Sequence, residues 1–560
     1  GKSNAGVFVG KMSTGATLNV DKCDVLTGVN VSANNAGGLV GSAENAEINV
    51  GEGVTLTMTG SVTGSVTAGG LFGSYTYSKA DSKEFDISKF SGMKMALACS
   101  SGDAAVGSVF GLLTNSTDSA KISIMGTAND TITSNFNVTV RAGFYGGIVG
   151  RYSANALSSE LALSDITVNV TGSCNALDFG GLIGKIGDNS KAYVSVKNTT
   201  ISINNPTSSQ NNYGGLVGYA DQAFIDVGGK VTITANNVSA NQSVGGIVGK
   251  FNKNGVVRLG GETNLSGFYP KDPNKNGCQI VGNRGNALIY SLSGWSFTRT
   301  SSKVIDDMDW GGVRLNDSDL LESANGVLSF DGSGHTVTIN GFPNNNITIS
   351  NRADFARAAL IMQHDSNDFV KYSGASRADM LAANISLSAD VDISDTGLTG
   401  FMRDNDEGTF TGTLNGNSHT ITMSIGKDAK IVFHTHNGLF AKTSGAKISN
   451  LTLVSNFNIV GDNVSGGDAC YIGSVSAYNS GALTIDKVTA DVTASPSGAY
   501  TNFVGGLVGY VADATSEVSF TNSAVTANLT YNNSTTKVDC TCLGGVIGMV
   551  GAVTSKPTTG

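Results

Sequence analysis

The feature that most constrains this chain is a five-residue glycine phrase that returns along most of its length. It reads GVFVG at 6–10, GGLVG at 37–41, GGLFG at 69–73, GSVFG at 107–111, GGIVG at 146–150, GGLIG at 180–184, GGLVG at 214–218 and GGIVG at 245–249. A degenerate copy, CQIVG, follows at 278–282, and after a gap come NGLFA at 437–441, IGSVS at 472–476, GGLVG at 505–509 and GGVIG at 544–548. Successive starts within each series lie 31 to 39 residues apart. Helical repeats hold their length nearly fixed, whereas stacked coils joined by loops of different size keep a phrase and vary the spacing.

Between the phrases the sequence alternates in period two, as in EINV at 47–50, VTLTMT at 54–59, ITVNVT at 166–171, YVSVKN at 193–198 and KVTITA at 230–235. Such alternation marks strands with one buried face. The 74 glycines among 560 residues weigh against a mostly helical protein, because an interior glycine costs a helix roughly 1 kcal/mol relative to alanine. With no helix-period stretch between strands to serve as a crossover, each strand must meet its counterpart one repeat later by coiling. The chain is therefore expected to be all-β, a parallel β-solenoid of about 13 coils in two arrays. Within the phrase, Leu39 is expected to enter the coil interior. The flanking glycines, Gly37, Gly38 and Gly41 with Gly146, Gly147, Gly150, Gly214, Gly215, Gly218, Gly505, Gly506 and Gly509, are expected to serve as structural corner residues through positive φ and close backbone approach.

The periodicity divides the chain into a first solenoid array at 1–290, a junction at 291–408 and a second array at 409–560. The junction carries both tryptophans, Trp295 and Trp310, and an acidic run of Asp306, Asp307 and Asp309. One segment near 351–364 reads as a short helix, capped by Asn351, with Phe355, Ala358, Ala359 and Met362 on one face. Placed before a new array, it is expected to cap the first coil. ISLSADVDIS at 385–394 reads as the strand that leads on.

The phrase resembles the GLUG motif of bacterial surface proteins, over about 1–290 and 410–560. TFTGTLNGNSHTITM at 409–423 and the related SFDGSGHTVTI at 329–339 resemble the opening coil of pectate-lyase-like β-helices. The resemblance implies a right-handed β-helix, an extracellular or cell-surface location and an adhesin role.

Composition narrows the partners. The net charge is −9 with no run of Lys or Arg, which excludes nucleic acid as an expected partner. No apolar stretch reaches the ~18 residues of a membrane span. Seven cysteines, Cys23, Cys99, Cys174, Cys278, Cys470, Cys540 and Cys542, are scattered and odd in number, and read as small apolar core residues. The seventeen Asn-x-Ser/Thr sequons follow from period-two strands that put Asn and Thr on one outer face. Thr-x-Thr strands such as Thr55, Thr57 and Thr59 also bring ice-binding solenoids to mind, but the uneven spacing weighs against a regular threonine ladder.

Few residues suggest chemistry. His434 and His436 share a strand face, as two metal ligands would, but no third ligand accompanies them. Asp404 and Asp406, followed by Gly408, have the alternating oxygens of a calcium loop without its later bidentate carboxylate. Calcium is thus the one cofactor considered, with Asp390, Asp392 and Asp395 as further ligands, and no cofactor is expected. His335 and His419, in two matched Gly-x-x-His-Thr segments, read as turn residues. KPTTG at 556–560 shares only part of a sortase signal. No catalytic residue is assigned.

The reading is a non-catalytic structural or adhesive module of an extracellular fibre or adhesin. Both ends fall inside the repeat pattern, which leads us to expect end-to-end self-association into a filament or further repeats of a longer chain, with host or surface glycans or proteins as other partners. The alternative is a carbohydrate-active enzyme, a polysaccharide lyase or hydrolase, or a glycan-binding β-helix with its site at 291–410.

Overall fold

A computed structural model describes residues 3–21, 25–52, 54–90, 93–127, 131–137, 142–173, 176–187, 190–204, 208–209, 211–236, 239–240, 243–267, 280–283, 285–292, 294–300, 326–394, 396, 398–402, 408–425, 431–432, 436–461, 469–498, 502–512, 516–530 and 541–551. The chain is an all-β parallel solenoid of about 12 turns. It divides into two compact units, 1–302 with 332–335, and 303–331 with 336–560.

In the first unit the strands that leave the glycine phrase form one nine-stranded parallel sheet, from Val9–Met12 through Val40–Glu44 and onward to Val281–Asn283. In the second unit the equivalent strands are Phe440–Thr443, Ser476–Asn479, Val508–Val511 and Ile547–Val550. Pairing aligns Gly473 with Gly505 and Ser476 with Val508. The phrase there is therefore GSVSA at 473–477, one residue later than the sequence match suggests. Strand register survives the uneven repeat length, with Ile201 beside Ile233 and Val168 beside Ile201 on successive coils.

Each phrase is a corner between two strands. Leu39 and Val40 are fully buried, and burying such side chains stabilises by roughly 1.5–3 kcal/mol apiece. The corners also stack by hydrogen bonds. The carbonyl of Leu71 accepts the N–H of both Leu39 and Val40 at 3.0 Å, and that of Leu216 accepts those of Leu182 and Ile183 at 3.0 and 2.9 Å.

None of the twelve corner glycines lies at positive φ, contrary to one half of the expectation. The other half holds with three distinct reasons. A Cβ on the first glycine would strike the carbonyl three residues on, at 1.9 Å for Gly37 and 1.8 Å for Gly214. On the second it would strike the next coil, as Gly147 meets the Gly181 oxygen at 2.0 Å. On the last it would strike the preceding coil, as Gly218 meets the Gly184 oxygen at 2.6 Å.

The left-handed backbone occurs at a different corner and is made largely by Asn and Asp. Asp165, Asn198 and Gly229 have φ of 56°, 48° and 62° on successive coils, and Asn450, Lys487 and Asn522 have 49°, 52° and 50°. Asn tolerates this region better than most residues and ladders to its neighbour. Asn198 Nδ2 donates to Asp165 Oδ1 at 3.2 Å.

The helix α1, Arg352–Gln363, begins at Asn351, whose side chain accepts the Asp354 N–H. Phe355, Ala358, Ala359 and Met362 are buried as the pattern requires, but so are Ala356, Leu360 and Ile361. The helix is thus enclosed on more than one face. Phe355 stacks on Phe401 at 4.0 Å, and Phe401 stacks on Phe440 of the phrase at 5.4 Å, which caps the second unit's core. A second helix, α2 at Arg377–Leu381, was not expected; Ser376 and Asp379 form its capping box. The 329–339 segment also departs from its solenoid-like sequence. Leu328–Asp331 and Thr336–Asn340 pair antiparallel as a hairpin, whereas the matched Thr413–Ile425 strand pairs in parallel.

Candidate functional site

The glycine phrase bends the chain toward solvent, and this creates the candidate site. Side chains outside a coil diverge at a convex corner, but here those flanking the phrase converge. In the second unit Ile472, Val504, Asn479 and Val511 point into the core, so by strand alternation Tyr471, Phe503, Tyr478 and Tyr510 point outward. Their rings nevertheless meet across the corner, Tyr471 with Tyr478 at 5.4 Å and Phe503 with Tyr510 at 5.1 Å. The corner is therefore concave on its outer side, a groove that runs from coil to coil.

Two ladders line this groove. His436, Tyr471, Phe503 and Cys542 pair in register on one wall, and Lys442, Tyr478, Tyr510 and Met549 on the other. Tyr471 stacks on Phe503 with an interplanar angle of 17°, and Tyr478 on Tyr510 with 28°. Lys442 Nζ lies 5.5 Å from the Tyr478 ring centroid. Phe503 and Tyr510 are buried, whereas Tyr471 and Tyr478 remain partly open.

The same two positions in the first unit carry different chemistry. One wall aligns Phe144, Asp178, Asn212 and Ser243, and the other Arg151, Lys185, Tyr219 and Lys250. Lys185 Nζ sits 4.5 Å from the Phe144 ring and 4.9 Å from that of Tyr219, distances at which a cation is held by the ring faces. Asn212 Nδ2 donates to Asp178 Oδ1 at 2.7 Å. The coil accepts polar, charged or aromatic residues at these places.

The residues singled out by sequence fall elsewhere or are already engaged. His436 is in the aromatic groove, 4.8 Å from the Tyr471 ring, while His434 lies outside the described residues, as do Asp404, Asp406, Asp395 and the run at 306–309. Asp390 Oδ1 accepts the Thr420 N–H at 2.8 Å and stands 3.3 Å from His419 Nδ1. Asp392 accepts the Ser394 N–H at 2.9 Å. Trp295 Nε1 donates to Thr263 Oγ1 at 3.1 Å. Among the described residues no three His, Cys, Asp or Glu side chains form a group that could hold a metal. A carboxylate beside a base is assembled across coils. Asp226 accepts from Arg258 Nη1 and from the Tyr193 hydroxyl, both at 2.9 Å, and so commits both oxygens to the fold.

Cys99 and Cys470 are buried. Burial raises both thiols, that of Cys470 up to about 12, with an opposing contribution from the Asn437 side chain, so neither is poised as a nucleophile. The groove itself was missed at the sequence level. Its signal is the variable residue placed two before and one after each phrase. No protein-family model, curated protein or solved structure matches the chain.

Proposed function

We propose that this chain is a non-catalytic structural and adhesive module of an extracellular surface protein, of the kind that carries GLUG phrases. The observation that carries the reading is the contrast at each corner. The phrase is fixed by backbone clashes that admit little but glycine, while the outer positions beside it range from Asp178 and Lys185 to Tyr471 and Tyr478. A scaffold whose interior is invariant and whose outer ladders vary is suited to presenting surfaces. Coil edges carry unpaired N–H and C=O groups, so end-to-end association or continuation into further coils belongs to the same reading.

Fractionation of producing cells with an antibody to this chain tests the location. Recovery in the surface or secreted fraction is expected, and recovery only with cytosolic markers would sink the reading. Light scattering against concentration, with electron microscopy, tests association; a strictly monomeric chain removes stacking. Turnover of an acidic polysaccharide, lost on Asp306→Asn with Asp309→Asn, would instead favour a carbohydrate-active enzyme with its site at 291–410.

A further inference from the structure

We propose that Lys83 and Glu47 form an intramolecular isopeptide bond, a covalent cross-link between neighbouring coils of the first unit. The inference goes beyond the adhesive reading and does not rest on it. Lys83 occupies the register place that Ile122 and Leu161 fill on the next two coils, and both of those are fully buried. The coil therefore accommodates an apolar residue there and has no need of a lysine. Its amine meets Glu47 Oε2, 36 residues back along the chain. In the inter-coil pairs Lys121–Glu160, Lys230–Glu262 and Lys253–Asp221 the lysine side chains are 46 %, 63 % and 47 % exposed, whereas that of Lys83 is 10 % exposed. A buried ion pair is often no more stabilising than apolar residues of the same size, so stability alone does not account for this one.

The surroundings of the pair suit amide formation. Lys83 Nζ lies 5.3 Å from the centroid of the Phe85 ring, which packs with Phe72, Tyr75 and Phe110 at 6.0, 5.1 and 5.0 Å. A desolvated lysine amine is a nucleophile, and a fixed contact with its carboxyl partner replaces a bimolecular encounter. Tyr75 donates its hydroxyl to the Ala46 carbonyl at 2.8 Å, beside Glu47 on the chain, and Tyr77 donates to Asp81. Burial first and Glu47 next keep the Tyr75 phenol protonated, and burial, Asp81 and Glu47 do the same for Tyr77. Proton donors thus stand near the carboxyl. Within the pair the ammonium gives one proton to the carboxylate. The amine lone pair then attacks Cδ of Glu47, a second proton passes from nitrogen to the hydroxyl on that carbon, and the C–O bond breaks with its electrons on oxygen. One water leaves and an amide remains, with no oxidant or co-reactant consumed. The Glu47 side chain is 47 % exposed, which gives that water a way out.

The test is the intact mass of the full chain, shown to be folded by circular dichroism and with its thiols reduced, followed by tryptic mapping. A mass below that of the sequence by one water is expected. Trypsin does not cut after an acylated lysine, so one peptide should join residues 23–79 to 80–89. Lys83→Arg keeps a cation in the pair but has no nucleophilic amine, and should show the full sequence mass, as should Glu47→Ala. A folded parent at full sequence mass overturns the proposal. So does a water loss that maps to another pair of residues or persists in Lys83→Arg. A plain ion pair predicts full mass and separate peptides in the parent and in both variants.

Discussion

Ser108 donates its hydroxyl to the carbonyl of Gly147, the atom that a side chain at the second position of the phrase would otherwise strike. Ser474 does the same to Gly506. A β-carbon at this position is therefore tolerated where an Oγ turns the collision into a hydrogen bond. Gly147→Ala, whose Cβ would stand 2.0 Å from the Gly181 oxygen, should destabilise by about 3 kcal/mol. Gly147→Ser should recover roughly 1 kcal/mol of that loss. Guanidinium unfolding followed by circular dichroism compares the two midpoints, and equal midpoints would contradict the account.

The same reasoning separates two chemically identical glycines. Gly506 faces the Gly545 oxygen, 2.1 Å from a hypothetical Cβ, whereas Gly545 has nothing within 4 Å. Gly506→Ala should cost several kcal/mol and Gly545→Ala should fall within about 0.5 kcal/mol of the parent. Because coils interact mainly with their neighbours, hydrogen exchange should place the Gly506→Ala damage in residues 502–529.

These contrasts also show what the sequence could and could not convey. The phrase announced the corner and the buried Leu39, and Asn351 announced the start of α1, because each depends on one short stretch of chain. The sequence showed that glycine is needed without showing which of its properties is used; close approach at the second and last positions depends on a backbone 30 or more residues away, and at the first on how the corner itself folds. It also could not show which way a corner bends, and so the facing of Tyr471 and Tyr478 was hidden. Asp226 and Arg258 are 32 residues apart, and only the register makes them neighbours. The hairpin at 328–340 shares its sequence pattern with a parallel strand and differs from it only in partner.

Lys487 offers a gain in stability. It holds φ of 52° between Asn450 and Asn522 in the left-handed corner, a conformation that costs residues bearing a Cβ about 1–2 kcal/mol. Lys487→Gly removes that cost but gives the unfolded chain more freedom, for a net gain of up to ~1 kcal/mol. Lys487→Val should destabilise. A melting temperature that falls with glycine and rises with valine would show that the corner is not under backbone strain.

Alkaline pH should unfold the protein through groups that burial keeps protonated. Burial pushes the Cys470 thiol up to about 12 and, with help from Asp365, the Tyr372 phenol up to about 12. In each case the folded state holds its proton where the unfolded chain releases it, so the stabilisation is complete below the unfolded pKa. It declines as pH rises from about 9 toward 12, because the unfolded state then binds fewer protons. For Cys470 a rise from 9.0 to about 12 corresponds to roughly 4 kcal/mol lost across that window. Cys470→Ala should cost about 1 kcal/mol at pH 7 through lost packing, yet flatten the decline between pH 9 and 12. Denaturation midpoints of parent and variant across this range test the point: parallel curves would mean that Cys470 does not carry the alkaline transition, and curves that converge and then cross that it does.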